Sequence, residues 1–422
     1  MPPENLAAAA INAAPGSRYE RKKEDILNTA ASLINRNGLR DTTLAVVAAE
    51  LGMNLKSLRY YFTRKEELAC AAFLRSVELH EELIASSRDI DDFDERIRHF
   101  IASYFALKGR VRRGQQPPFV HFGDIRSLAD ERRTKAGNRY VDFFRGTRSL
   151  LDCPGLAMPA AQKNAAAHFL VSQLLWSVIW TQPYETEDFD RVAERFTDLL
   201  LNGIAARPVT IPAPPGEMHN AFEDPDRLSQ NAFLRTATHL INDLGYRGAT
   251  VEKISSELNV TKGAFYHHNE TREELVSACF DRTFEIIREA QDSAMRTPAD
   301  GLTRTILAAS SLVSRQMLPE GALLRTSALT AVGFELREEL QHRMGRTTMR
   351  FADMLNDGLL DGSVRPSDIR IASEMITAAI NSAQELQNWV REARADNAAE
   401  LYLTPLLYGL GAARDRTRAP RA

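Results

Sequence analysis

Gly38-Leu-Arg-Asp-Thr42-Thr-Leu-Ala-Val-Val47-Ala-Ala-Glu-Leu51-Gly52-Met-Asn-Leu-Lys56-Ser-Leu58-Arg-Tyr60-Tyr-Phe62-Thr-Arg-Lys65-Glu-Glu-Leu68 decides how this chain folds, because the pattern occurs twice. It returns 207 residues later as Gly245-Tyr-Arg-Gly-Ala-Thr250-Val-Glu-Lys-Ile254-Ser-Ser-Glu257-Leu258-Asn259-Val-Thr261-Lys262-Gly-Ala-Phe265-Tyr266-His-His-Asn269-Glu-Thr-Arg272-Glu-Glu-Leu275. The copies align without a gap from Gly38/Gly245 to Leu68/Leu275 and share Glu50/Glu257, Leu51/Leu258, Glu66/Glu273, Glu67/Glu274 and Leu68/Leu275. A repeat of this length sets the architecture before any single element is assigned.

Each copy has the make-up of a helix-turn-helix: two short helices at a fixed angle, the second offering polar side chains to a DNA major groove. Leu44, Val47, Ala48, Leu51 and Leu58 supply the apolar contacts in copy 1, answered by Val251, Ile254, Ser255, Leu258 and Phe265 in copy 2. The turn between the helices needs a residue tolerant of the left-handed conformation, here Gly52 and Asn259. Thr63-x-x-Glu66 reads as a capping box opening the next helix.

Working outward, helical periodicity continues in Ile26, Ala30, Leu33 and Ile34 and in their counterparts Phe233, Ala237, Leu240 and Ile241. The strictly alternating β-branched runs of a sheet are missing, so the chain reads as all-α. Longer helices are expected near 91–110, 117–150, 159–181 and 187–206 in copy 1. In copy 2 they are expected near 275–295, 299–316, 319–331, 333–361, 366–392 and 394–412. The prolines of 207–226 mark a linker of about 65 Å maximal reach at roughly 3.3 Å per residue, enough to lay one copy beside the other. The expected organisation is therefore a disordered tail (1–17), a head (18–68), a helical body (69–206), the linker (207–226), a second head (227–275), a second body (276–412) and a tail (413–422).

Composition bounds the rest. With 422 residues the chain exceeds one core, and 44% apolar against 26% charged residues is ordinary for a soluble protein. The net charge of −3 is not that of a nucleic-acid binder, so the local distribution has to decide. Head 1 holds ten Lys/Arg against seven Asp/Glu, with Arg21, Lys22 and Lys23 clustered, whereas head 2 holds six of each. Phosphate neutralisation supplies non-specific affinity, so head 1 should grip harder. Cys70, Cys153 and Cys279 have no metal-ligand spacing and fit reduced thiols. Residues 1–17 do not form a secretory signal, and the most apolar run, Ala165–Trp180, falls short of a membrane span. A cytoplasmic protein without a membrane partner is expected. Phosphate-cradling loops, nucleophile elbows and dinucleotide fingerprints are absent from the sequence, which argues against an enzyme and against a cofactor. His267-His268 has no partner at ligand spacing, so no metal is assigned.

Both heads resemble the N-terminal domain of the TetR family of ligand-responsive repressors, whose members are all-α homodimers. The resemblance extends over nearly the whole chain, by motif in the heads and by helix length in the bodies. It implies two tandem units, each a three-helix helix-turn-helix head followed by a helical ligand-binding and dimerisation body. Gly362-Ser-Val-Arg365-Pro366-Ser-Asp368 resembles the junction between the last two long helices of that family. Val260-Thr-Lys-Gly263-Ala-Phe-Tyr266-His267 follows its recognition-helix pattern closely. Carried over position by position, the resemblance implies DNA contacts at Thr42, Thr43, Lys56, Ser57, Arg59, Tyr60 and Lys65 in copy 1. In copy 2 it implies them at Thr250, Thr261, Lys262, Tyr266, His267 and Arg272. Copy 1 departs from the family at Lys56, usually Gly, and at Arg59, usually Tyr, which puts long cations on the recognition helix. Arg59 and Lys56 suit guanine O6 and N7, with phosphate contact the alternative reading. Copy 2 departs at Asn269, where an aromatic normally packs, and at Arg272, usually Lys.

For the bodies, the resemblance implies a cavity for a small apolar or amphipathic effector, lined by Phe100, Tyr104, Phe122, Phe144, Trp176 and Phe351. Arg126 or Arg139, from a stretch with eleven Lys/Arg between Lys108 and Arg148, suits an anionic head group. Ordinary core or subunit interface is the competing reading for all of these, and Trp176 and Trp180 suit a dimerisation face equally well. The sequence thus points to a transcriptional regulator, read as a repressor that binds double-stranded DNA as a covalently fused pseudo-dimer on an imperfectly symmetric operator. Its last two long helices per copy, near 159–206 and 366–412, would form the interface. The alternative left open is that copy 2 no longer reads DNA and two chains dimerise to present head 1 to a palindrome. Further homodimerisation of the whole chain is open in either case.

Overall fold

The computed structural model describes residues 18–120, 130–154, 156–212, 225–258, 271–318 and 321–411. Copy 1 runs through α1 (Arg18–Asp41), α2 (Leu44–Glu50), α3 (Leu55–Arg59), α4 (Lys65–Arg88), α5 (Phe93–Arg112), α6 (Asp130–Ser149), α7 (Ala160–Trp180) and α8 (Phe189–Asn202). Copy 2 repeats the order with α9 (Pro225–Gly248), α10 (Val251–Glu257), α11 (Arg272–Arg296), α12 (Gly301–Gln316), α13 (Phe334–Asp361), α14 (Ile369–Ser382) and α15 (Ala398–Tyr408). The described residues are helical or irregular and contain no strand beyond an isolated Ala205–Val364 bridge, so the fold is all-α. None of their helices is long and apolar enough to cross a membrane.

The helix starts follow from capping chemistry. Thr43 accepts from the Val46 N–H at 3.2 Å and Thr250 from Lys253 at 3.3 Å, so α2 and α10 open on the same residue of the repeat. The capping box belongs to copy 2, where Thr271 and Glu274 bond each other's backbone, and not to Thr63–Glu66. In copy 1 the side chain of Glu67, not Glu66, takes both the backbone N–H and the hydroxyl of Thr63, each at 3.0 Å. The spacing is four because α4 begins only at Lys65.

Four helices are shorter than their periodicity suggests. The segment expected as 117–150 is helical from Asp130 to Ser149, and residues 117–120 are not helical, since Pro117 and Pro118 remove two N–H donors. In copy 2 the expected helix at 319–331 is a 3-10 turn, Thr326–Ala331, reached through irregular backbone at 321–325. The expected 366–392 helix ends at Ser382 and tightens into a 3-10 turn to Asn388, and the last helix spans Ala398–Tyr408 rather than 394–412.

The repeat extends into tertiary hydrogen bonds that no local pattern announces. Asn35 donates to the Phe119 carbonyl at 2.8 Å, and its counterpart Asn242 donates to Leu323 at 2.8 Å. Ser76 accepts from the Val120 N–H at 2.7 Å, as Thr283 does from Leu324 at 2.9 Å. Arg75 holds the Pro118 carbonyl and Arg282 the Ala322 carbonyl. Each copy thereby pins the strap before α6 or α13 onto its own α1 and α4 or α9 and α11.

The copies meet through α7 and α8 on one side and α14 and α15 on the other. Ile204 N–H donates to the Leu406 carbonyl at 3.1 Å, and Leu410 N–H donates to the Leu200 carbonyl at 2.7 Å. The two bonds are exchanges of the same positions, which is the signature of a two-fold contact. Gly203 and Gly409 make it possible. A Cβ on Gly203 would lie 2.2 Å from the Leu407 oxygen, and one on Gly409 would lie 2.0 Å from the Leu201 oxygen. Both have positive φ, 65° and 87°, in a region essentially reserved for glycine.

Candidate nucleic-acid interface

In head 1 the recognition helix α3 is fixed from both ends. Asn54 caps it, accepting from the Ser57 N–H at 2.7 Å, and the turn before it contains Gly52 at φ +60°. Leu58 and Phe62 anchor its inner face in the core with Ile26, Ala30 and Val47, which leaves Lys56, Ser57, Arg59 and Tyr60 on the outside. Tyr60 is 76% exposed, an unusual position for a large ring unless a partner covers it. An Arg36–Glu50 ion pair at 3.2 Å ties α1 to the end of α2.

The structure sorts the remaining copy 1 expectations. Thr43 is exposed and caps α2. Thr42 is corrected: it is buried, with its hydroxyl on the Gly38 carbonyl at 2.9 Å, so it braces the bend in α1 rather than facing a groove. Lys65 is half-buried, and its amine reaches the Leu39 carbonyl at 3.4 Å, joining the start of α4 to the end of α1. One group was missed in the sequence. Tyr19, one residue into α1, stacks on Tyr61 at 4.9 Å and meets the edge of Tyr60 at 6.0 Å. This brings the basic N-terminus of α1, with Arg18, Arg21 and Lys22, beside the recognition helix. The cue was the aromatic residue within a basic cluster, but only folding shows where it lands.

In head 2, Thr250 caps α10 as described. Thr261, Lys262, Tyr266 and His267 lie outside the described residues, as does the side chain of Arg272.

The expected effector residues do not converge on one site. Phe100 and Tyr104 lie in the core of body 1, where the Tyr104 hydroxyl donates to the Leu174 carbonyl at 2.9 Å and burial pushes its pKa up. Beside them the Lys108 amine donates to the Ser177 carbonyl, the Ser177 hydroxyl and the Thr181 hydroxyl at 2.9, 3.0 and 2.9 Å. Burial, with the nearby Arg112 charge, holds this lysine well below its ordinary value. Trp176 and Phe144 belong to the junction between copies, not to a cavity. The Trp176 indole donates to Glu374 at 2.9 Å, and Phe144 stacks on Trp389 at 3.7 Å. Phe122 and Arg126 lie outside the described residues, and Arg139 pairs with Glu81 at 2.6 Å.

Phe351 does line a cavity, in body 2, of about 20 Å³. Its walls are Phe284, Ile287, Met344 and Phe351, with Thr326, Thr347 and Asn381 as polar edges and no charged side chain. In body 1, His80 stands at the position of Ile287. Its ring lies 5.8 Å from Tyr104, 5.4 Å from Phe119 and 5.2 Å from Phe143, so aromatic side chains occupy that region. Among the described residues no cluster of His, Cys, Asp or Glu has the arrangement to hold a metal ion.

With the capped helix-turn-helix of head 1 and the capped α10 of head 2 in place, the comparisons with known proteins can be stated. The family model for bacterial regulatory proteins of the tetR family matches at residues 26–72 and again at 233–279. Both heads belong to the tetR family. The chain thus carries two tandem tetR-type heads. The transposon Tn10 TetC protein of Escherichia coli is 31% identical over 71 residues, which is 17% of this chain and 36% of that protein. The match thus spans little more than a third of that protein. The HTH-type transcriptional repressor KstR2 of Mycolicibacterium smegmatis is 27% identical over 156 residues, covering 34% of this chain and 73% of that protein. Among solved structures, AibR in complex with isovaleryl coenzyme A and operator DNA is similar at 18% identity, with a TM-score of 0.37, over 42% of this chain and 96% of that one.

Proposed function

We propose that the chain represses transcription as a covalently fused pseudo-dimer, its two unlike heads reading two unlike half-sites, and that a small apolar or amphipathic effector releases it. The observation that carries this reading is the reciprocal contact of the two copies. The bonds Ile204–Leu406 and Leu410–Leu200, with the paired glycines, join α8 to α15 as two identical subunits would be joined. The ion pairs Arg195–Asp368 at 2.8 Å and Arg365–Asp198 at 2.7 Å flank it. The face that a single copy would need for pairing with a second chain is thereby already occupied.

A homodimer presents two identical recognition helices and so reads a palindrome. Here Lys56 and Arg59 of copy 1 are answered in the repeat by Gly263 and Tyr266 of copy 2, so the two recognition sequences differ, and their half-sites would lie about one helical turn or 34–36 Å apart along the duplex. The test is a footprint of the intact chain on DNA flanking its own coding region, with the mass of the complex measured alongside. A 47.2 kDa monomer protecting two dissimilar halves is the expected result. Arg59→Ala should then expose one half and Tyr266→Ala the other, each weakening binding by about 1–3 kcal/mol. A palindromic site bound by two chains overturns the reading and leaves head 1 as the sole reader.

A further inference from the structure

Tyr19 stands seven residues before Ile26, so it lies on the stripe of α1 that Ile26, Ala30 and Leu33 bury in the core. The stripe therefore runs on about two turns past the core and ends in an aromatic ring. That ring meets the end of the recognition helix. It stacks on Tyr61 at 4.9 Å and 24°, and it meets Tyr60 edge-on at 6.0 Å and 86°. Tyr60 and Tyr61 close the triangle at 5.4 Å and 90°. All three separations lie in the range where ring pairs attract beyond the area they bury. Tyr61 packs on the core, so the triangle has a fixed base.

Large rings in a packing contact are ordinarily well covered, and one of these is not. Tyr60 follows the last residue of α3, one helical turn from the exposed Lys56 and next to the exposed Arg59. Its ring is held by two neighbours and still faces solvent over most of its surface. The repeat puts Asp226, His267 and His268 at the places of Tyr19, Tyr60 and Tyr61, so the sequence of copy 2 has a carboxylate where copy 1 has the supporting ring.

Resting on the DNA-reading function proposed above, we propose that Tyr19 is a positioning residue of head 1, which holds the Tyr60 ring in the pose that meets a backbone phosphate of the duplex. A tyrosine hydroxyl donates to phosphate oxygens, and such contacts fix the register of a protein on DNA without reading its sequence. A ring already held by two others has little side-chain freedom left to lose on binding, and the difference appears as affinity. Tyr19 touches no DNA in this arrangement; it acts through Tyr60. Head 1 has this support and head 2 has no counterpart for it in sequence.

Binding of the intact chain to the footprinted DNA over a range of salt concentrations tests this. Tyr19→Ala should weaken binding about tenfold, the effect of one side chain left to be ordered on binding. Tyr19→Phe keeps the ring and should bind as wild type does. In a Tyr60→Ala background, Tyr19→Ala should cost less than about twofold, because the residue it positions is gone. Tyr60 is uncharged, so the slope of log affinity against log salt should stay as in wild type. A slope shallower by about one would place the effect in the exposed Arg18 or Arg21 of the same helix end and overturn the route through Tyr60. Equal losses in both backgrounds, or no loss at all, would leave the triangle as packing within the head and overturn the proposal. Should Tyr19→Ala not fold, Tyr19→Leu, which keeps apolar bulk without a ring face, takes its place under the same outcomes. Loss at both halves of a palindrome bound by two chains keeps the proposal and overturns the fused pseudo-dimer instead.

Discussion

The two bodies share the same strap-pinning hydrogen bonds, yet beside Ile287 copy 2 has a small cavity, whereas the equivalent His80 of copy 1 lies among aromatic rings. His80 against Ile287 marks the difference: the imidazole lies among Tyr104, Phe119 and Phe143, while the isoleucine lines the cavity. The lesson is that duplicated folds diverge most easily where side-chain volume alone is at stake. Backbone-holding residues such as Asn35/Asn242 and Arg75/Arg282 have stayed the same, since losing either strands buried polar groups.

The contrast can be broken most directly by truncation. Phe143→Ala should cost about 3–5 kcal/mol and open a new cavity in copy 1, whereas Phe351→Ala, beside existing space, should fall at the low end of that range. Chemical denaturation reads both, and equal costs would remove the distinction between the two sites.

Next in size, Gly203→Ala and Gly409→Ala should each cost at least about 2 kcal/mol through backbone strain and clash. Similar losses in thermal melts would support a junction symmetric in energy as well as in geometry. Tolerance at one position would show that the two-fold contact is only approximate.

Acid should separate the bodies further. Burial holds His80 below its ordinary value, against a smaller opposing effect of its bond to the Ser76 carbonyl. His168, stacked on Tyr402 in the junction, is lowered by burial too. With folded values depressed, the unfolded chain takes the proton first. Stability should be full above about pH 6.5 and decline as pH falls through the lower folded values. Replacing His80 with Ile, the residue of copy 2, should flatten part of that decline in urea titrations run at several pH values. An unchanged profile would place the sensitivity in His168 alone.

The smallest expected effect probes the heads. Thr43→Ala and Thr250→Ala should each cost about 1 kcal/mol, because each removes the same cap from the same helix of the repeat. A difference well beyond that, measured by local exchange in α2 and α10, would show that the heads differ in firmness as well as in charge.

Much of the heads was legible in the sequence. Apolar spacing, a turn glycine and capping threonines act within a few residues, so their consequences are local. The outward positions of Lys56, Arg59 and Tyr60 follow from that register once Leu58 is buried. Thr42 was misjudged because two adjacent threonines look alike in sequence, and only the cap geometry tells which one turns inward. Trp176 and Phe144 were offered to a ligand because aromatic residues at helical spacing serve a cavity, a core or an interface equally well. Their partners, Glu374 and Trp389, lie 198 and 245 residues away in the other copy.

By itself, then, the sequence determined that the chain is all-α, built twice on one plan, with a helix-turn-helix opening each copy and unlike charges on the two heads. These are properties of short-range spacing and of direct repetition. The tertiary structure alone decided that Gly203 and Gly409 each close on the other copy's backbone, that Ile287 lines a cavity where His80 sits among aromatic rings, and that Arg337 reaches the head of the other copy. Those outcomes depend on close packing and backbone approach between distant segments, where a few tenths of an ångström separate a contact from a clash.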